Sequence, residues 1–321
     1  MVSPVRPDPA ALVARWRGAP GTLAHVRDGE NAVYRFAAGR APLILRLTEA
    51  RHRSRAQLAA ELEFIRFVGT RGVRAARPLP SAAGEWVEAV TTPVGDQWHA
   101  VAFEAAPGRH FEYLSADVDR PLFHAWGRAM GALHAASREF QPVGPRRVRW
   151  AEQDGTRLDV AGLPPAEAAA HREHARVAEW LASLPAPDER SPDGRWGLVH
   201  GDFERTNFVL DGATIDGATL RVYDFDDACY HWYVADVAHA LWAFRGAPAA
   251  DRRRFLAWFL EGYRERCALD EEQLAHFSWF VRLRSLSLFA GRVADAVALG
   301  AAADGPWEGR MRAAFEEPFQ W

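Results

Sequence analysis

The sequence predicts an α+β protein of two lobes, a small antiparallel β-rich N-terminal lobe and a larger helical C-terminal lobe. Three observations predict it. Short β-prone runs punctuated by turn residues fill the first hundred positions, helical periodicity dominates from Leu122 onward, and Pro107-Gly108 separates the two regimes. The boundary is set after Glu104, which divides the chain into residues 1–104 and 105–321. The chain is 321 residues long, and at roughly 150 residues per domain that leaves room for about two units.

Taken in order, Leu23 to Val26 and Ala32 to Phe36 are β-prone runs joined by Arg27-Asp28-Gly29-Glu30-Asn31. Asp-Gly at such a junction predicts a hairpin, because both residues tolerate positive φ. Pro42 to Leu47 is a third strand, rich in Leu and Ile. Leu58, Leu62, Ile65 and Val68 fall at helical spacing, which predicts a helix over Arg55 to Val68 closed by Gly69 and Gly72. Pro78, Pro80 and Gly84 mark turns, and Trp86 to Val90 and Ala100 to Glu104 are two further strands. Beyond the break, helices are predicted over Ala125 to Ala136, Ala166 to Leu184, Val234 to Phe244, Arg252 to Cys267 and Glu271 to Leu299. Pro185 to Gly194 reads as a loop. One β-like island interrupts the helices: Leu198-Val199, Phe208 to Leu210 and Leu220 to Tyr223, with a tandem Asp-Gly-Ala-Thr at Asp211 and Asp216 as its hairpin.

Composition removes several function classes. Hydrophobic residues at 49% and charged residues at 25% are those of a globular protein. With 39 basic against 42 acidic residues the net charge is −3, which argues against a general nucleic-acid or membrane-surface binder. Every basic residue is an arginine. Without a lysine there is no Gly-Lys-Ser/Thr phosphate loop and no Schiff-base chemistry. Two cysteines, Cys229 and Cys267, are too few for a disulfide framework or a zinc cage. The segment Met1 to Pro7 lacks the apolar stretch of a secretory signal, and no apolar run approaches the roughly 18 residues of a membrane span. The expected compartment is the cytoplasm.

The β-like island carries the chemistry. It contains His200-Gly201-Asp202-Phe203-Glu204-Arg205-Thr206-Asn207 and, after the hairpin, Asp224-Phe225-Asp226-Asp227. A kinase catalytic loop places an Asp that takes the substrate hydroxyl's proton, an Asn that binds magnesium, and a later Asp that holds the metal on the phosphates. Asp202, Asn207 and Asp224 stand in that order. Carboxylate and amide oxygens suit a hard divalent cation, and one tight loop keeps base and metal ligand at fixed relative positions. Either fragment alone is equally a turn or an acidic strand end.

Together the segments resemble the aminoglycoside phosphotransferase and choline kinase family, the small-molecule branch of the protein-kinase-like fold. That family writes His-Gly-Asp, four residues and Asn, then Ile-Asp-Phe followed by a polar pair. The resemblance runs from Gly21 to Phe289. It implies a nucleotide-binding N-terminal lobe and a C-terminal lobe that is catalytic and binds substrate. It implies Asp202 as catalytic base, Asn207 and Asp224 as Mg2+ ligands, and His200 as a structural residue behind the loop. Asp236 matches the aspartate that braces the catalytic loop in that family; its other reading is an N-cap of the next helix.

In the first lobe, the resemblance makes Asp28 to Asn31 the turn covering the ATP phosphates, where the residues alone read as a tight turn. Arg46 stands where kinases place the strand lysine that grips the phosphates, and Glu61 where the helix glutamate pairs with it. Arg46 is the departure from the pattern; a guanidinium grips phosphate in a bidentate way, while its alternative is a strand-edge arginine facing water. Glu63 is the competing partner. The backbone from Phe103 to Ala105 matches the hinge that reads the adenine edge.

Other features carry simpler readings. His171, Glu173 and His174 lack the spacing of a zinc motif and read as an exposed helix face. Arg146-Arg147-Val148-Arg149 and Arg252-Arg253-Arg254 read as solvated faces. Tyr230 to Tyr233 is core packing or a substrate wall. The resemblance implies an ATP- and Mg2+-dependent phosphotransferase acting on a hydroxyl of a small molecule. The acceptor classes are amino sugars and aminoglycosides, choline-like alcohols and homoserine-like amino acids, with no nucleic-acid or membrane partner. The alternatives are a Ser/Thr protein kinase of the same fold and a nucleotide-binding pseudokinase, the latter motivated by Arg46.

Overall fold

The computed structural model describes residues 5–110, 118–153, 160, 162–185, 194–212, 219–317 and 319–321. A short helix, α1 (Pro9–Val13), is capped by the Asp8 side chain and leads into the sheet. Then come β1 (Ala24–Arg27), β2 (Asn31–Ala38), β3 (Ala41–Glu49), α2 (Arg55–Thr70), β4 (Pro78–Leu79), β5 (Glu88–Thr91) and β6 (Gln97–Glu104). The six strands form one antiparallel sheet in the order β1-β2-β3-β6-β4, with β5 also on β6. α2 starts at a capping box, in which Ser54 accepts from the Gln57 N–H and the Gln57 side chain accepts from the Ser54 N–H.

Strand alternation splits the sheet's two faces. Leu43, Leu45 and Leu47 of β3 join Ala100 and Ala102 of β6 in a core closed by Leu12, Val13 and Trp16. Val101 and Phe103 of β6 face the other way, into the core that holds Leu58, Leu62 and Ile65 of α2. Arg46 shares that second face, and the helix covers it.

The helical lobe contains α3 (Arg120–Glu139), α4 (Ala168–Ser183), β7 (Trp196–Val199), β8 (Phe208–Asp211), β9 (Thr219–Val222) and β10 (Cys229–Trp232). It continues with α5 (Tyr233–Leu241), α6 (Ala249–Arg264), α7 (Glu271–Ala275), α8 (Phe277–Ala298) and α9 (Pro306–Glu316). β7 pairs with β10 and β8 with β9, both antiparallel. α3 and α6 touch backbone to backbone. A Cβ on Gly127 would lie 1.8 Å from the Phe259 carbonyl, and one on Gly262 would lie 1.9 Å from that of His124. The lobes are stitched by the Ala76 N–H donating to the Val222 carbonyl and the Val222 N–H donating to the Arg74 carbonyl. Among the described residues, no helix is long and apolar enough to cross a membrane.

Several expectations need correction. The hairpin of β1 and β2 forms, but its turn does not use left-handed backbone at Asp28 or Gly29; the pairing instead slips at His25 and Arg27. The helix expected over Glu271 to Leu299 is two, with α7 capped by Asp270 and a break at His276. α1, β4, β10 and α9 were not anticipated. Most of the Pro185 to Gly194 loop and the Asp216 repeat lie outside the described residues.

Candidate active site

β7 delivers His200 to Asn207 into the space beneath the β1–β2 turn. Gly201 sits at φ +81, and a Cβ there would meet the Asp227 carbonyl at 2.1 Å, so only glycine fits. Asp236 fixes this backbone: its carboxylate accepts from the His200 N–H at 3.2 Å and the Gly201 N–H at 2.9 Å. It lies inside α5, whose N-cap position is Trp232, so the N-cap reading fails and the bracing contact is what forms. His134 Nε2 donates to the same carboxylate at 2.9 Å, while its Nδ1 accepts from the Tyr263 hydroxyl at 2.8 Å.

His200 is fully buried. Its Nε2–H donates to the Tyr223 carbonyl at 3.1 Å, and its Nδ1 accepts from the Asp202 N–H at 3.3 Å. Burial lowers its pKa, so the ring is neutral and ties the loop to the end of β9.

Asp202 has two side-chain partners. Arg284 of α8 donates to Oδ1 at 2.6 Å and Asn207 Nδ2 to Oδ2 at 2.9 Å. Asn207 Nδ2 also reaches the Asp202 carbonyl at 2.8 Å, which leaves the amide oxygen of Asn207 turned to other duty. Although 23% of the Asp202 side chain is accessible, crowding dominates its ionisation. Burial pushes its carboxyl up to about 7 against Arg284, helped by Glu204, Asp227 and Asp224.

Asp224 is one of two described non-glycine residues with positive φ, at 65°, a strained backbone of the kind held at functional sites. Its Oδ2 accepts from Arg27, and its Oδ1 lies 3.9 Å from Arg46 Nη1. Next to it, Arg147 is buried and holds the carbonyls of Ala228 and Asp226, so the solvated face expected of it is corrected. Arg53 reaches both Asp226 and Asp227 at 3.3 Å. Burial would raise Asp226, but His52, Arg46, Arg53 and Arg147 outweigh it and hold its carboxyl well below the usual range. Burial, then Asp226, pushes Asp227 up to about 6.

Glu30, His52 and Asp226 bring ligand-type atoms within 4.8 Å of one another. Asp226 and then Glu30 raise His52 to about 9, so at neutral pH the imidazole is protonated and pairs with both carboxylates.

Arg46 and Glu61 form a bidentate pair at 2.9 and 2.7 Å. Arg46 is 4% exposed and Glu61 0%, which excludes the water-facing alternative. Burial alone would lower the Arg46 guanidinium, but the Glu61, Asp226 and Asp224 carboxylates hold it above its ordinary value. Glu63 accepts from the Val143 and Gly144 N–H groups and is no competitor. The Asn31 side chain spans Thr48 and Asp226. At the hinge, the Glu104 N–H donates to the Arg77 carbonyl and the Ala105 N–H to the Pro42 carbonyl, so both amides are already paired. Phe103 is buried, 5.3 Å below the Arg46 guanidinium.

A cavity of about 260 Å³ unites Arg27 and Asn31 of the first lobe with Asp202, Asn207 and Asp224 of the second. Arg46, Glu61, Phe103 and Ala105 are not in its wall. A larger cavity, about 670 Å³, is lined by Arg74, Arg120, Arg128 and Arg266 and contains none of these carboxylates; residue chemistry, not volume, locates the site. Sequence reasoning missed Arg27, Arg53, Arg147 and Arg284. Only Arg27 had a signal, its place in the turn.

The model of the phosphotransferase enzyme family matches residues 23–269. Amicoumacin kinase of Bacillus subtilis (strain 168) is 29% identical over 289 residues, covering 87% of this chain and 82% of that one. Among solved structures, an amicoumacin kinase in complex with AMP-PNP, Ca2+ and Ami superimposes with a TM-score of 0.82 at 26% identity, covering 94% of this chain and 90% of its own. A microcompartment-associated aminopropanol kinase shares the fold, with a TM-score of 0.73 at 22% identity and 96% and 95% coverage.

Proposed function

This chain belongs to the phosphotransferase enzyme family, and from that premise we propose that it moves the γ-phosphoryl group of ATP to a hydroxyl in an Mg2+-dependent reaction. It is a small-molecule kinase. The observation that carries the reading is the meeting of Asp202, Asn207 and Asp224 in one cavity under the β1–β2 turn. The nucleotide and Ca2+ bound to the similar amicoumacin kinase support nucleotide and divalent-cation use here.

The donor set fits such a cation: Asp224 offers carboxylate oxygens, and Asn207 offers the amide oxygen left over once its Nδ2 is spent on Asp202. A divalent ion held there would neutralise charge on the phosphates during transfer. Asp202 accepts the hydroxyl proton, and its position is fixed through Asn207, Arg284 and the Asp236 brace. Glu61, with both carboxylate oxygens on Arg46, sets the guanidinium beside Asp224. Catalysis is positioning and charge neutralisation.

The acceptor is a small hydroxyl compound; amino alcohols, amino sugars and homoserine-like amino acids are the classes to screen. The test is ATP consumption across those classes and a generic protein substrate. Acceptor-dependent ADP release with a small molecule supports the reading, and release with the protein substrate alone moves it to a protein kinase. Lack of turnover with every class would leave a pseudokinase.

A pH dependence follows. Asp202 acts as a base only when deprotonated, and its carboxyl sits near 7. kcat/KM for ATP, which reports ionisations before nucleotide binds, is expected to rise with pH through that region. A profile flat from about pH 5 to 8 contradicts the assignment.

A further inference from the structure

Resting on the kinase reading, we infer that Arg27 is a cation that grips the nucleotide's phosphates, and that it exchanges between them and Asp224. Both terminal nitrogens of Arg46 are bound to Glu61 in a fully buried pair. Its guanidinium, with Nη1 3.9 Å from Asp224 Oδ1, does not line the cavity under the β1–β2 turn. Among the described residues, Arg27 is the one cation lining that cavity. It stands at the end of β1, where the turn over the cavity begins.

The charges around it give Arg27 its role. Arg6 serves Asp28, Arg284 serves Asp202, and Arg53 serves Asp226 and Asp227. Arg27 is bonded to Asp224 Oδ2, the atom set that the divalent ion also needs. A metal on Asp224 and Arg27 on Asp224 therefore compete. The triphosphate offers Arg27 a stronger partner, and the side chain is 51% exposed and free to swing to it. A guanidinium there matches two phosphate oxygens at once.

The exposed pair with Asp224 adds little to stability, so Arg27→Gln is expected to fold with an unchanged Tm. Calorimetric titration compares the full-length wild type, Arg27→Gln and Arg27→Lys. Magnesium AMP-PNP is expected to bind Arg27→Gln about 10- to 100-fold more weakly, the range of a lost charge-assisted bond, with partial rescue in Arg27→Lys. Mn2+ alone is expected to bind Arg27→Gln more tightly than wild type, because its competitor is gone. Equal nucleotide affinity in Arg27→Gln and wild type, or weaker Mn2+ binding in the variant, overturns the role of Arg27 and leaves the kinase reading intact. A folded wild type that binds no nucleotide brings down both.

Discussion

Asp202→Asn is expected to abolish most phosphoryl transfer, by on the order of 10²- to 10⁴-fold, while nucleotide affinity and Tm stay near the wild-type values. The substitution keeps the shape of the side chain and the oxygen that accepts from Arg284 but removes the proton acceptor, and Asn207 Nδ2 gives up its side-chain partner while keeping the backbone carbonyl of residue 202. Asp202 makes no bond to the β1–β2 turn; its side-chain partners are Arg284 and Asn207. Its backbone is held by His200 and by the Asp236 brace at Gly201. The loop therefore does not depend on its charge. A residue that only supported the turn would behave in reverse, losing stability and sparing turnover. The check is a calorimetric titration with magnesium AMP-PNP beside the rate of acceptor-dependent ADP formation, and full activity in a well-folded variant contradicts the role.

The second large effect is on stability. Arg46→Ala leaves the Glu61 carboxylate buried and unpaired, and breaking a buried pair by removing one partner costs about 3–5 kcal/mol. The burial of both partners is what makes the loss a stability effect. The double variant Arg46→Met, Glu61→Leu replaces the pair with apolar side chains of similar size and is expected to recover most of the loss. The pH dependence has a definite sign. Burial already holds the Glu61 carboxyl above its ordinary value against the pull of Arg46; Arg46→Ala raises it further, so its stability is greatest below the unfolded value of about 4.3 and falls more than that of wild type as pH rises. Denaturant titrations at two pH values test both points. A single variant that loses under about 1 kcal/mol would return Arg46 to the class of weak surface pairs.

How much was legible follows from what each signal depends on. Asp202, Asn207 and Asp224 were legible because spacing within one loop and one hairpin fixes their geometry locally. The pairing of Arg46 with Glu61 was legible through the family resemblance, with Glu63 left as a competitor until α2 was seen to turn it towards Val143 and Gly144. Arg284 was not: it lies 82 residues from Asp202 in sequence and meets it only through the packing of α8. In a chain whose 39 basic residues are all arginines, composition cannot separate Arg147, buried on backbone carbonyls, from its neighbours in the same run. Asp236 carried two readings because an Asp near a helix start caps well; only the start of α5 at Tyr233 decides between them. α9 was missed because its buried apolar residues are just Met311 and Phe315, too few to set a period. β10 was hidden in an aromatic run that reads as packing until its pairing with β7 is seen.

Asn207 and Asp224 are expected to share a divalent ion on the phosphates while Asp202 faces the acceptor. Anomalous diffraction from a crystal grown with AMP-PNP and Mn2+ tests it most directly. The expected result is a manganese peak bonded to the Asn207 amide oxygen and an Asp224 carboxylate oxygen, at oxygen-ligand distances of about 2–2.3 Å, with the phosphates beside it under the β1–β2 turn. A peak at Glu30, His52 and Asp226, or a nucleotide seated in the arginine-lined cavity, would contradict it.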